Sequence, residues 1–284
     1  MKILRFTFVV LFLFTACTYN PFFADDEIKD NSKFKISGQV RLDETDDFSG
    51  VSIYLEQLDL YTETDKRGKF ELNLQLSPKL QVGSKFTGFL HLYYYVNNYE
   101  LKTSTIFMKD GEFGYGMADL DQQGIVKDDV LLGKLLDVKT TITPNKIKSD
   151  YTGQVQIQVR LENRADSVVV FTHFAKEKKL GSAFLKGKEA QFDYIHLISQ
   201  PSNLVATVID SVKYWTMDIN WEVESNEVDI GKYEAIPYLF VYQENIPDRL
   251  LFKYGKSASV FSKDFINMPF RRKTADFEIA PKSD

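Results

Sequence analysis

An all-β protein made of two β-sandwich domains is the expectation this sequence raises, and three observations carry it. Short runs of alternating apolar and polar residues recur along the chain, separated by turns bearing Gly and Asp. Aromatic residues are abundant, with 23 Phe and 15 Tyr, and such side chains suit pleated, half-buried surfaces. The length of 284 residues suits roughly two domains of about 100–200 residues each. The formal net charge of −5 argues against a nucleic-acid partner, whose phosphates call for clustered Lys and Arg.

The N-terminus reads as an address rather than as part of the fold. Lys2 and Arg5 form a basic start, and Phe6 to Phe14 is an apolar run of the length of a signal-peptide core. It is short of the roughly 20 residues that span a bilayer. Leu13-Phe14-Thr15-Ala16-Cys17 follows, and this resembles the lipobox of bacterial lipoproteins, in which a small residue precedes an acylated cysteine. Cys17 is the one cysteine of the chain, so no internal disulfide accounts for it. The resemblance implies a lipoprotein signal peptide over 1–16, lipidation of Cys17 and a membrane partner reached through the acyl chains. Thr18, where inner-membrane lipoproteins of Gram-negative bacteria carry Asp, points by the same resemblance to the outer membrane. Residues 17–33, which contain Asn, Pro, Asp, Lys and Ser, read as a tether.

The first sandwich is expected over 34–110. Ile36, Val40 and Leu42 alternate with polar residues, and Asp43 to Asp47 is an acidic turn. Four carboxylates in that turn suit either solvent or a calcium ion, and the solvated loop is the commoner outcome. Val51, Ile53 and Leu55 share one face of the next strand. Gly68 in Asp65-Lys66-Arg67-Gly68 suits a positive φ, and Phe70, Leu72, Leu74 and Leu76 alternate cleanly with Lys69, Glu71, Asn73 and Gln75. Taken together, Gly38, Val40, Gly50, Val51, Ile53, Thr64, Asp65, Gly68 and Phe70 resemble the pattern of the carboxypeptidase regulatory-like domain. That resemblance implies a small transthyretin-like β-sandwich and a supporting role; the family's domain supplies neither metal ligands nor a nucleophile. Phe86 to Val96 is apolar on both faces, as in a strand covered on both sides. Asn97-Asn98 reads as the turn into its partner, Tyr99 to Phe107.

Residues 111–136 are turn-rich and read as a linker, with a short helix or strand at Val130 to Leu136 near its end. Asp119-Leu120-Asp121 opens like an EF-hand loop, but Val130 stands where the bidentate Glu belongs, so the motif fails. The second sandwich is expected over 137–284, with an irregular C-terminal part. Its clearest strand sets Val155, Ile157, Val159 and Leu161 against Gln154, Gln156, Gln158 and Arg160. With the turn at Asn163 to Asp166 and the strand after it, this resembles the opening hairpin of immunoglobulin-like domains. A later strand sets Trp215, Met217, Ile219, Trp221 and Val223 on one face. Arg271-Arg272-Lys273 reads as a solvated basic turn.

Two sets of rings are candidate ligand contacts: Tyr93 with Tyr95, and Trp215 with Trp221. Each suits a sugar-stacking platform or, more commonly, a sandwich core. Catalytic machinery is not in view. His91, His173 and His196 form no His-Glu-x-x-His or His-x-x-Glu motif, no Gly-x-Ser-x-Gly elbow occurs, and no phosphate-cradling loop precedes a helix. The expectation is therefore a non-catalytic, lipid-anchored cell-envelope protein without metal or cofactor, binding an unknown envelope protein or a glycan. A surface glycan-binding lipoprotein and a peptidase accessory or inhibitor module are the alternatives.

Overall fold

The computed structural model describes residues 34–74, 86–174, 180–188, 195–199, 203–224, 227–255 and 263–282. The leader, Cys17 and the tether lie outside the described residues. Nineteen strands occur among them. The first eight are β1 (Lys35–Leu42), β2 (Ser52–Leu55), β3 (Leu60–Glu63), β4 (Lys69–Asn73), β5 (Gly88–Tyr95), β6 (Lys102–Lys109), β7 (Glu112–Phe113) and β8 (Val130–Leu132). They form two sheets, ordered β4-β1-β8 and β3-β2-β5-β6-β7. Ile36, Val40, Phe70 and Leu132 of the first sheet meet Ile53, Leu90, Leu92 and Ile106 of the second in one buried core. A sheet hides one face by packing it on another, which makes this a sandwich.

The turns of this unit follow from particular side chains. Asp65 Oδ1 accepts the backbone N–H groups of Arg67 and Lys69, each at 2.9 Å, a local bond that favours a turn over a continued strand. Gly68 has φ +78°, and a Cβ there would collide with the Val40 carbonyl, so glycine is required by conformation and by space. Thr64 is buried and accepts the Val51 N–H at 2.9 Å, tying the turn to the neighbouring strand. The residues that carry the regulatory-like pattern thus do structural work.

Residues 111–136 are not a linker. β7 pairs with β6, and β8 runs parallel to β1 through Val40–Val130 and Leu42–Leu132. Phe113, Leu120, Val126 and Leu132 are buried in the first core. A parallel neighbour must return by a long crossover, and the turn-rich stretch is that crossover.

The second unit holds β9 (Leu136–Thr143), β10 (Lys146–Lys148), β11 (Gln154–Asn163), β12 (Val168–Phe174), β13 (Ser182–Gly187), β14 (Ile195–Ser199), β15 (Asn203–Ile209), β16 (Lys213–Asn220), β17 (Gly231–Pro237), β18 (Phe240–Val241) and β19 (Ala275–Ala280). Its sheets are ordered β16-β11-β9, β15-β12-β18 and β10-β19-β17-β13-β14. Val155, Ile157, Val159 and Leu161 bury one face of β11 against Trp215, Met217 and Ile219, with Ala235, Phe277 and Ile279 opposite. Two short helices complete the unit, α1 (Trp221–Glu224) and α2 (Asp248–Phe252). The strand expected to run to Val223 therefore stops at Asn220. The C-terminal stretch expected to be irregular supplies α2 and a 3-10 turn at Lys263–Asn267, and it ends in β19, where the alternation of Phe277 to Ala280 already suits a strand.

Candidate functional site

The candidate ring platforms lie in the interior. Trp215 and Trp221 are 3% and 1% exposed in the second core, and Trp221 meets Phe277 edge-on at 5.1 Å. Tyr95 is fully buried between the two units, and burial raises its phenol pKa. Tyr93 is half-buried, with its hydroxyl donating to Glu56 at 3.3 Å. Three of the four rings thus offer no open face, so they do not form a sugar platform; the alternation that groups them is core packing. Among the described residues, no group of three or more His, Cys, Asp or Glu is placed to hold a metal ion. The acidic turn at 43–47 instead bonds to its own backbone, as where Asp47 Oδ1 accepts the Ser49 N–H at 3.0 Å. No described helix is long and apolar enough to cross a membrane.

What the structure does build is a junction, and its centre is the β5–β6 turn. Asn97 and Asn98 are both 0% exposed. Asn97 Oδ1 accepts the Val241 N–H at 2.9 Å while its Nδ2 donates to the Val241 carbonyl at 3.2 Å. Asn98 repeats the arrangement on Arg271, with Oδ1 accepting its N–H at 2.9 Å and Nδ2 donating to its carbonyl at 2.8 Å. Each side-chain amide engages a backbone as a neighbouring strand would. Gln243 answers from the second unit: its Nε2 donates to the carbonyls of Asn97 and Tyr99, and its Oε1 accepts the Leu101 N–H at 2.8 Å. Buried amides are tolerated only when their donors and acceptors are met, and here they are met across the junction.

Aromatic packing surrounds these clamps. Tyr54 and Tyr95 of the first unit share a cluster with Phe184, Tyr238, Tyr254 and Phe265 of the second. The Tyr254 hydroxyl donates to Ser52 Oγ at 2.8 Å, and burial pushes its pKa up to about 12. Helix α2 closes the edge, where Arg249 pairs with Asp59 at 2.7 Å and the Tyr61 hydroxyl donates to the Arg249 carbonyl at 3.0 Å. Arg272 lies against the rings of Phe265 and Phe270, at 5.7 and 5.1 Å. Burial lowers its pKa to about 10, opposed by Glu234, and its Nη1 has no hydrogen-bond partner among the described residues.

On its other flank the junction opens into a groove of about 490 Å³, lined by seven basic and three acidic side chains among the described residues. Glu44 of the first unit meets Lys134 at 3.2 Å and Arg164 at 3.7 Å. Asp137 is bonded by both Lys134 and Arg164. Burial disfavours its charge, but those two hydrogen bonds prevail and hold its pKa below the usual carboxylate range. Arg160 pairs with Glu162 at 2.7 Å. Three acids are thereby matched with Lys134, Arg164 and Arg160. Lys139 and Lys273 have no carboxylate partner among the described residues, and Arg271 turns its guanidinium to the Ser49 carbonyl. The sequence signal for this groove was the run Arg271-Arg272-Lys273. It misled as a plain solvated turn because its neighbours, Lys139 and Arg160, are far away in sequence.

No family model matches the chain, and no curated protein matches it. Among solved structures it is similar to the Bacillus anthracis TIE protein, at 10% identity and a TM-score of 0.24, over 75% of this chain and 31% of that one. The chain thus spans less than a third of that structure, and what this protein does has to be argued from its own residues.

Proposed function

We propose that this chain is a non-catalytic, lipid-anchored protein of the bacterial cell envelope, on the outer membrane. In this reading its two β-sandwich units serve as a structural and protein-binding module. The observation that carries the reading is the junction: two buried asparagine clamps and an aromatic cluster join the units, so a surface on one is held in a fixed relation to the other. Such a build suits presentation of a surface more than a hinged cleft. The lipobox-like Leu13 to Cys17 supports the anchor, and the regulatory-like pattern from Gly38 to Phe70 supports a supporting-domain role for the first unit.

The anchor is tested by expressing Cys17→Ala in a bacterial host and fractionating the cells. The variant is expected in the soluble fraction, with loss of metabolic labelling by palmitate. Retention in the membrane fraction, or undiminished labelling, would overturn the anchor.

A further inference from the structure

The outward face of the β16-β11-β9 sheet is laid out in rows by its register. Arg160 pairs with Tyr214 on one side and Lys139 on the other, so these three side chains form one row. The next row is Thr216, Gln158 and Thr141; the one after is Asp218, Gln156 and Thr143. A parallel bridge between Lys139 and Lys273 extends the first row by one strand. Neighbouring strands lie about 4.8 Å apart, so this row of four covers roughly 14 Å. Its basic end enters the groove at the junction. Its other end is Tyr214, 52% exposed.

Besides Asp218, whose carboxylate accepts Gln156 Nε2 at 2.8 Å in the row farthest from the cations, three kinds of group share this open face. Lys139 and Lys273 are exposed cations with no carboxylate partner among the described residues. The Gln and Thr side chains both donate and accept hydrogen bonds. The Tyr214 ring is a flat apolar surface with a polar tip.

We propose that this face, together with the groove it runs into, binds an acidic carbohydrate, an oligosaccharide carrying carboxylate or sulfate groups. The cations neutralise its charges, the amides and hydroxyls match its hydroxyl groups, and the tyrosine ring receives the C–H face of a sugar. A ligand recognised by charge alone would leave the rows of Gln and Thr without purpose. A nucleic acid would meet only a short basic row on a chain of net charge −5. The site differs from the buried rings at Tyr95, Trp215 and Trp221, and it does not depend on acylation at Cys17.

The test is titration calorimetry on the full chain at about 50 mM salt, where exposed charges are only partly screened. The probes are a sulfated hexasaccharide, a uronate hexasaccharide and a neutral hexasaccharide, with oligoglutamate as a charge-only control. At least one acidic sugar is expected to bind, the neutral one at least about tenfold more weakly. The tighter of the two acidic probes identifies the anionic group. Lys139→Glu with Lys273→Glu is expected to weaken binding at least about tenfold. Lys109→Glu with Lys148→Glu, which changes net charge equally at exposed sites elsewhere, should leave it unchanged. Tyr214→Ser is expected to weaken sugar binding with Lys139 and Lys273 both in place, although it also removes a hydrogen-bond partner of Arg160. The proposal is overturned if neither acidic sugar binds, if both double variants lose binding equally, or if oligoglutamate binds as tightly as the sugars. An unchanged thermal midpoint shows that each variant is folded.

Discussion

The two flanks of the junction are made from opposite chemistry. One flank is uncharged at its centre: Asn97, Asn98, Gln243 and a set of aromatic rings fill it, and the amide groups are satisfied across it. The other flank is charged and open, with Glu44, Lys134, Asp137 and Arg164 in a shared ion-pair network. The difference teaches how the molecule divides its labour. Buried, fully paired amides leave little for a third molecule to bind, so they hold the units together. A groove with more cations than carboxylates keeps capacity for a ligand, but exposed ion pairs contribute little cohesion.

Removing the clamps should have the largest effect. Asn97→Ala leaves the Val241 N–H and carbonyl buried without partners, at a cost of about 1–3 kcal/mol for each stranded group. The Asn97→Ala, Asn98→Ala double variant is expected to divide one calorimetric unfolding transition into two, as the units lose their coupling. A single transition at the parent temperature would show that the amides do not join the units. Tyr254→Phe removes one hydroxyl from the same flank and should lower stability by about 1 kcal/mol in denaturant titration, because Ser52 Oγ loses its donor.

On the charged flank the effects should be smaller and should depend on pH. The folded pKa of Asp137 lies below its ordinary value of 3.8. Its contribution is therefore fully present above that value and is lost as pH falls through the folded pKa. Asp137→Asn is expected to cost under about 1 kcal/mol at neutral pH, since the group is partly exposed, and the difference from the parent should vanish once the pH lies below the folded pKa. A difference that persists there would have to come from shape rather than charge. Smallest of all is Arg249→Ala, which breaks the Arg249–Asp59 pair. With Arg249 63% exposed, the expected loss is a few tenths of a kcal/mol, and it should shrink further in high salt.

Much of the strand framework was legible because alternation reports burial directly. Val155 to Leu161 showed its inner face, and the same register sets Gln158, Arg160 and Lys139 on the outer one. Gly68 was legible because a positive φ and a crowded turn leave few other choices. Asn97-Asn98 was legible as a turn but not as a buried clamp: its partner Val241 lies 144 residues away, and nothing local marks that distance. β8 was legible only as a short helix or strand around Val130 to Leu136, for a related reason. Its three residues carry too little periodicity to announce a strand, and only pairing with β1 makes them one. Trp215, Met217 and Ile219 were grouped correctly on one face, while Trp221 falls in α1, and strand periodicity does not say whether a face looks inward or outward. The aromatic density around β5 was the available sign of a covered surface, and it is where the second unit packs.

The two clamps also make the turn a peg with two holding points. Asn97 grips the backbone at Val241 and the adjacent Asn98 grips it at Arg271, so one short turn is fastened to two separate segments of the other unit. A twist about either segment strains the bond to the other. Under a pull applied along the chain, both grips share the load and must fail together before the units can swing. The junction therefore transmits torque as well as tension, and the molecule behaves under shear as a single lever rather than as two beads on a string.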